Sequence, residues 1–231
     1  MNCVAVIPAR GGSKGVHRKN MRMLNGRPLV GWTIDAALKS KYITHCVLST
    51  DDDEIAEYGR SWGIDIVVRP SYLAEDTTPT APVVSHVIES LGTDYQGNYE
   101  IVLLQPTSPL RTFRQIDECI SETRARRMEC AVSLTETDHT PYKTLVEEKG
   151  KLLPLMGQEY FEMPRQKLPK TWRINGAIYY VNVALFLKTR KFVNFPFYPY
   201  IMGETSSIDI DNEFDLAYAE FLFSQLGKTD D

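Results

Sequence analysis

The sequence predicts an α/β fold, a mainly parallel sheet with helices on both faces. Three observations predict it. Short apolar runs alternate along the 231 residues with amphipathic helical patterns. The first run, Cys3 to Ile7, leads straight into a glycine-rich basic loop. Polar turns, Thr50-Asp51 and Gln105-Pro106-Thr107-Ser108-Pro109, follow apolar runs, at the strand ends where such sheets bind ligands.

Residues 3–7 form the first expected strand. Pro28 suits the first turn of a helix reaching Lys39, with Leu29, Trp32, Ala36 and Ala37 on one side. Val47 to Thr50 ends the second strand. Asp51-Asp52-Asp53-Glu54 opens a helix, where acids complement the positive end of the dipole, and Gly63 closes it. Ile64 to Val68 is a strand, 80–91 a helix, and Ile101 to Leu104 a buried strand. Thr112 caps a helix to about Arg127, followed by a strand at Ala131 to Leu134. The rhythm breaks from Asp138 to Trp172, a proline-rich stretch too long for an ordinary connection. Its apolar residues, among them Leu152, Leu153, Leu155 and Met156, predict a lid or a subunit contact. A strand resumes at Gly176 to Val181. A last helix, Glu213 to Leu226, carries Phe214, Ala217, Tyr218, Phe221 and Leu222 on its apolar face. The whole chain reads as one domain, 1–231, with 138–172 as an inserted segment.

The basic loop is the most informative segment. Arg10, Lys14, Arg18, Lys19, Arg22 and Arg27 place six cations between residues 10 and 27 with no acid among them, in a chain of net charge -4. Gly11 and Gly12 let the backbone approach a ligand, and loop N–H groups can converge on an oxyanion. Arginine and lysine beside them suit a polyphosphate. The alternative is a tight strand-to-helix turn with solvated cations. The loop is neither a P-loop, since Gly15-Val16 follows Lys14, nor a Gly-x-Gly-x-x-Gly dinucleotide fingerprint.

Composition sets limits. Mild acidity argues against a nucleic-acid partner. No apolar run approaches the ~18 residues of a membrane span. Four cysteines without C-x-x-C spacing fit buried thiols in a reducing cytoplasm, and no signal-peptide pattern stands at the N-terminus. Four scattered histidines with no His-Glu-x-x-His pair argue against a zinc site.

Ser207-Ile208-Asp209-Ile210-Asp211 is the second constellation. In a strand, both aspartates share one face and both isoleucines the other. Two carboxylates on one face repel, and Mg²⁺ bound to them and to substrate phosphates would compensate. The alternative is a pair of solvated acids leading into the last helix, with Asp211 or Asn212 as its N-cap. Beside a phosphate-seeking loop, the metal reading is preferred. Arg69 and the Asp76-to-Thr80 stretch suit a base edge, and Gln105 ends an apolar strand with an amide. Arg173 and Asn175 open a strand, while Lys143 and Arg165 lie in the inserted segment, where a cation can hold a carboxylate.

These pieces together resemble the acylneuraminate cytidylyltransferases, the CMP-sialic acid synthetases. The resemblance covers essentially the whole chain. It rests on Ile7 to Gly15 with Lys19-Asn20, Leu104 to Arg111, Pro164-Arg165-Gln166, Arg173 to Tyr179, and Ser207 to Asp211. It implies a Rossmann-like nucleotidyltransferase fold and a homodimer joined through the inserted segment. It implies CTP plus a nine-carbon 2-keto sugar acid as substrates, giving CMP-sugar and pyrophosphate. By the same resemblance Arg10, Ser13, Lys14 and Lys19 match the triphosphate loop, and Asn20, Arg69, Thr78 and Thr80 the nucleoside site. Gln105, Lys143, Arg165, Tyr179 and Phe192 match the sugar-acid pocket, and Asp209 and Asp211 the metal ligands. Arg10, Lys14 and Asp211 are the expected catalytic residues, with Asp211 as base. The chain departs from the family in having Val193 after Phe192, where a second aromatic is frequent, and Ile174, where proline is frequent.

The sugar acid is left open among N-acetylneuraminate, legionaminate and pseudaminate. Relatives using the eight-carbon Kdo match the loop less well. A non-catalytic nucleotide-binding module is the rival class, and a cytidylyltransferase for sugar-alcohol phosphates a third possibility.

Overall fold

Cys3–Pro8 (β1) is an inner strand of a seven-stranded sheet. The computed structural model describes residues 2–92 and 99–226. A short hairpin, Met23–Leu24 (β2) and Arg27–Pro28 (β3), precedes the helix Leu29–Lys39 (α1). Asn25 and Gly26, at φ 46° and 79°, make its two-residue turn, a hairpin that hydrophobic periodicity does not foretell. His45–Thr50 (β4), Asp53–Ser61 (α2), Asp65–Val68 (β5) and Thr80–Ser90 (α3) follow. Then come Glu100–Leu103 (β6), Phe113–Ala125 (α4) and Cys130–Glu136 (β7). Thr112 caps α4 in a reciprocal box with Gln115.

Strand order is β11-β7-β10-β6-β1-β4-β5. β10 is Trp172–Asn182 and β11 is Tyr198–Ile201, with the helix Val183–Thr189 (α5) between them. β10 runs antiparallel to both β6 and β7; the other pairings in this sheet are parallel. Thus β10 starts four residues earlier than its apolar run suggests, in the polar Trp172-Arg173-Ile174-Asn175 stretch.

The two faces of the sheet follow from the period of two in β1. Cys3, Ala5 and Ile7 point to one core with α1, α2 and α4, while Val4 and Val6 point to the other with α3 and α5.

The inserted segment forms its own hairpin, Leu145–Glu148 (β8) against Lys151–Pro154 (β9). Its apolar residues Leu152, Leu153, Leu155 and Met156 are exposed in the single chain.

The last helix, Glu213–Leu226 (α6), corrects one expectation. Phe214, Tyr218 and Phe221 are exposed, and the helix instead packs Leu216, Ala219 and Phe223 against Leu24, Leu29 and Trp32. Apolar residues stand on more than one side of this helix, so an i, i+4, i+7 stripe does not single out the buried face.

All four cysteines are buried and free. No helix among the described residues is long and apolar enough to cross a membrane.

Candidate active site

The loop leaving β1 crosses the carboxyl ends of the central strands. Its backbone is held by its own side chains. Asn20 Nδ2 donates to the Arg10 carbonyl at 2.8 Å, and Ser13 Oγ accepts from Lys19 N–H at 2.9 Å. The Gly11 N–H donates to Asp51 at 3.0 Å, so this group is used inside the protein rather than left for a ligand. Gly12 faces open space.

Arg10, Ser13, Lys19, Asn20, Arg69, Thr78, Thr80 and Gln105 converge on one cleft of about 250 Å³. Arg69 is buried, bonding the carbonyls of Ser49 and Leu73, and desolvation pulls its pKa down to about 10. Lys14 is 85% exposed and outside the cleft lining.

The loop cations are not free. Arg10 and Lys14 share Asp76, Arg18 pairs with Asp52 and Glu54, Lys19 with Asp211, Arg22 with Glu213 and Arg27 with Asp35. Every acid comes from outside the loop. Arg27 also stacks over Trp32 at 4.5 Å, which marks it as a packing residue.

Residues 208–211 lie in no strand, contrary to expectation. The alternation nevertheless holds: Ile210 is buried with Ile208 against it, while Asp209 and Asp211 face outward. Ile210 N–H bonds the Thr107 carbonyl at 2.9 Å, which anchors the segment to the turn after β6. Asn212 accepts from the N–H groups of Phe214 and Asp215 and is the N-cap of α6, so Asp211 is left available. Partial desolvation pushes the Asp209 pKa up from 3.8; a bond to Thr107 opposes this, and repulsion from Asp211 adds to it. Lys19 Nζ donates to the Ile210 carbonyl at 2.7 Å and to Asp211 Oδ1 at 3.3 Å, joining loop and acid segment.

A second cavity of about 340 Å³ shares Thr80 and Gln105 with the first and is walled by Tyr179, Phe192, Val193 and Lys191. The Tyr179 and Phe192 rings lie 5.9 Å apart. Gly176, at φ 78°, sits at the register shift in β10 close beside Gln105; a Cβ there would lie 2.7 Å from Gln105 Oε1.

Four expected substrate residues, Asn175, Lys143, Arg165 and Arg173, line neither cavity. Asn175 is buried, and its amide is spent inside the protein: Oδ1 accepts from Ser133 Oγ and Ala177 N–H, and Nδ2 donates to Ser207. It fixes the β10 bulge rather than reaching a ligand. Lys143 and Arg165 sit on the inserted segment, outside both cavities. Arg173 stands half-exposed, 4.0 Å from Asp138, close enough to Asp209 to stabilise its charge.

Arg111 is a structural residue of the site that the sequence reading leaves out, and Asp76, expected in a stretch suited to a base edge, pairs instead with the loop cations Arg10 and Lys14. Arg111 is buried, with its pKa pulled down to about 9 by desolvation, and has no carboxylate partner among the described residues. It donates to the carbonyls of Gln105 and Ala177 and to Thr33 Oγ1, at 3.1, 3.0 and 2.8 Å. It thereby pins the turn after β6 to β10 and α1. In the sequence its position after Pro109-Leu110 was the available signal.

A family model described as cytidylyltransferase matches residues 4–204. An N-acylneuraminate cytidylyltransferase of Escherichia coli O18:K1:H7 is 33% identical, over 94% of this chain and 51% of its own length. A CMP-N,N'-diacetyllegionaminic acid synthase of Legionella pneumophila is also 33% identical, over 96% of each chain. The chain therefore spans about half the first relative and nearly all of the second. Among solved structures, a CMP-2-keto-3-deoxy-manno-octonic acid synthetase complexed with CTP has TM-score 0.72 at 15% identity, covering 97% of this chain and 99% of its own, a likeness of fold.

Proposed function

The chain belongs to the cytidylyltransferase family, and we propose that it transfers CMP from CTP to the anomeric hydroxyl of a nonulosonic acid, N-acetylneuraminate or a close relative, releasing pyrophosphate. One observation carries the proposal. The basic loop and the two aspartates, 191 residues apart at Lys19 and Ile210, are tied together beside a cleft that continues into an aromatic-walled pocket.

Arg10, Ser13 and Lys19 hold the β- and γ-phosphates, with Lys14 at the rim. Their charge stabilises pyrophosphate as it leaves, since phosphoryl-type transfer demands positioning and electrostatics more than covalent work. Arg69, Asn20, Thr78 and Thr80 surround the nucleoside. Gln105 stands where the two cavities meet and orients the acceptor, and Tyr179 and Phe192 wall its acyl side. Tyr179 stays neutral, because desolvation, with Asp209 behind it, raises its pKa. Asp211, 75% exposed, takes the proton of the attacking hydroxyl.

Asp209 and Asp211 are the residues that would hold a divalent cation. The fit rests on chemistry: two sets of hard oxygen donors that repel each other, on a segment that Lys19 ties to the basic loop. When bound, Mg²⁺ supplies Lewis-acid charge to the reacting phosphate and hydroxyl.

The exposed apolar arm 145–156 supports a homodimer, and Lys143 and Arg165, outside their own chain's cleft, are then free to complete the partner's. A cytoplasmic location fits the buried free thiols. A second reading, CMP-legionaminate synthesis by the same chemistry, draws support from the match to the Legionella relative over 96% of each chain.

Pyrophosphate release from CTP and Mg²⁺, measured with N-acetylneuraminate, di-N-acetyllegionaminate, pseudaminate and Kdo, tests the acceptor. Fast turnover with one nonulosonic acid is expected; turnover with Kdo alone contradicts the proposal.

A further inference from the structure

Among the acids that neutralise the basic loop, Asp76 has a distinct place. The partners of Arg18, Arg22 and Arg27 are Asp52, Glu54, Glu213 and Asp35, none of which lines the nucleotide cleft. Asp211, the partner of Lys19, also stands outside that lining. Asp76 is within it, alongside Arg10, Ser13 and Lys19. One carboxylate oxygen lies 2.7 Å from Arg10 Nη2 and the other 2.8 Å from Lys14 Nζ, so the two oxygens bridge two cations as two oxygens of a phosphate would. Asp76 is carried on the connection between β5 and α3, not on the loop that it neutralises. The bond from Lys14, with Arg10 behind it, keeps its carboxyl below the ordinary 3.8, so it is charged at neutral pH.

A polyphosphate held by Arg10 and Lys14 must meet this carboxylate. Two anions cannot share the pair at hydrogen-bond distance without mutual repulsion. A terminal phosphate carries more charge and more acceptor oxygens than a carboxylate and can displace it. A small or singly charged anion gains little from the exchange.

We propose that Asp76 is a displaceable internal stand-in for the nucleotide's terminal phosphates, a specificity residue that raises the threshold for anions at Arg10 and Lys14 and takes these cations back as pyrophosphate leaves. The inference rests on the reading of the loop as a triphosphate site.

Calorimetric titration of wild type, Asp76→Asn and Asp76→Ala with pyrophosphate and with orthophosphate tests it. Both variants are expected to bind pyrophosphate about tenfold more tightly than wild type, the scale of removing one competing charge, with orthophosphate gaining at least as much. Product inhibition by pyrophosphate should strengthen in parallel. Equal or weaker binding in both variants, with melting temperatures near wild type, overturns the inference while leaving the loop a phosphate site. Absence of pyrophosphate binding in all three proteins overturns both the inference and the reading beneath it. In the Asp76→Asn background, Arg10→Gln should lose more pyrophosphate affinity than in wild type; an equal loss contradicts the shared occupancy of Arg10.

Discussion

Gly15 lies directly against the main chain of Asp211: a Cβ built on Gly15 would stand 1.8 Å from the Asp211 carbonyl oxygen. The basic loop and the acid segment are thus in backbone contact, and Lys19 reinforces the junction through the Ile210 carbonyl. Any side chain at position 15 must separate the two. Gly15→Ala should fold, since the loop is at the surface, and lose on the order of 10²-fold in kcat/KM, the cost of displacing catalytic groups by about 1 Å. Steady-state kinetics alongside a melting curve checks this.

The Asp211 side chain is exposed, and the Lys19 ammonium that it meets at 3.3 Å is held more closely by the Ile210 carbonyl at 2.7 Å, so the carboxylate contributes little to the fold. Asp211→Asn should keep the wild-type melting temperature and lose at least ~10²-fold in turnover, the scale of one electrostatic group. Near-wild-type turnover removes Asp211 from the mechanism.

Asp209 gives a pH-dependent stability effect. Its pKa in the metal-free fold is raised above 3.8, so the folded chain holds this proton more tightly than the unfolded one. Stability is therefore lost as pH rises from 3.8 through the raised value, and the loss persists above it. With EDTA present, Asp209→Asn should melt higher than wild type at pH 7. The difference should vanish once wild-type Asp209 is protonated in both states. Added Mg²⁺ should stabilise wild type and leave the variant unmoved.

Arg111 holds three acceptors that a single ammonium cannot reach together. Arg111→Lys should cost roughly 2–4 kcal/mol of stability, because bonds to a charged donor are lost and buried carbonyls are left unpaired. Urea unfolding measures the cost, and the KM for the sugar acid should rise with it as Gln105 loses its anchor.

The parts of the fold legible in the sequence were those with local causes. The β1 run, the Thr112 cap and the close of α2 at Gly63 each depend on neighbours within a few residues. The acids at 209 and 211 could be assigned to one face because alternation is local, but their lack of a strand partner could not. The pairing of the loop cations was hidden for the same reason: their carboxylates come from 35, 52, 54, 76, 211 and 213. Asn175 shows the limit most clearly. An amide opening a strand looks the same in sequence whether it meets a ligand or, as here, Ser133 and Ser207.

The most direct test of the central claim is transfer of label from [α-³²P]CTP in the presence of Mg²⁺ and N-acetylneuraminate or di-N-acetyllegionaminate. Label is expected to move into a CMP-sugar in step with release of unlabelled pyrophosphate, and EDTA is expected to stop both. CTP that binds but stays intact with every nonulosonic acid, or label that moves only to a phosphorylated sugar alcohol, contradicts it.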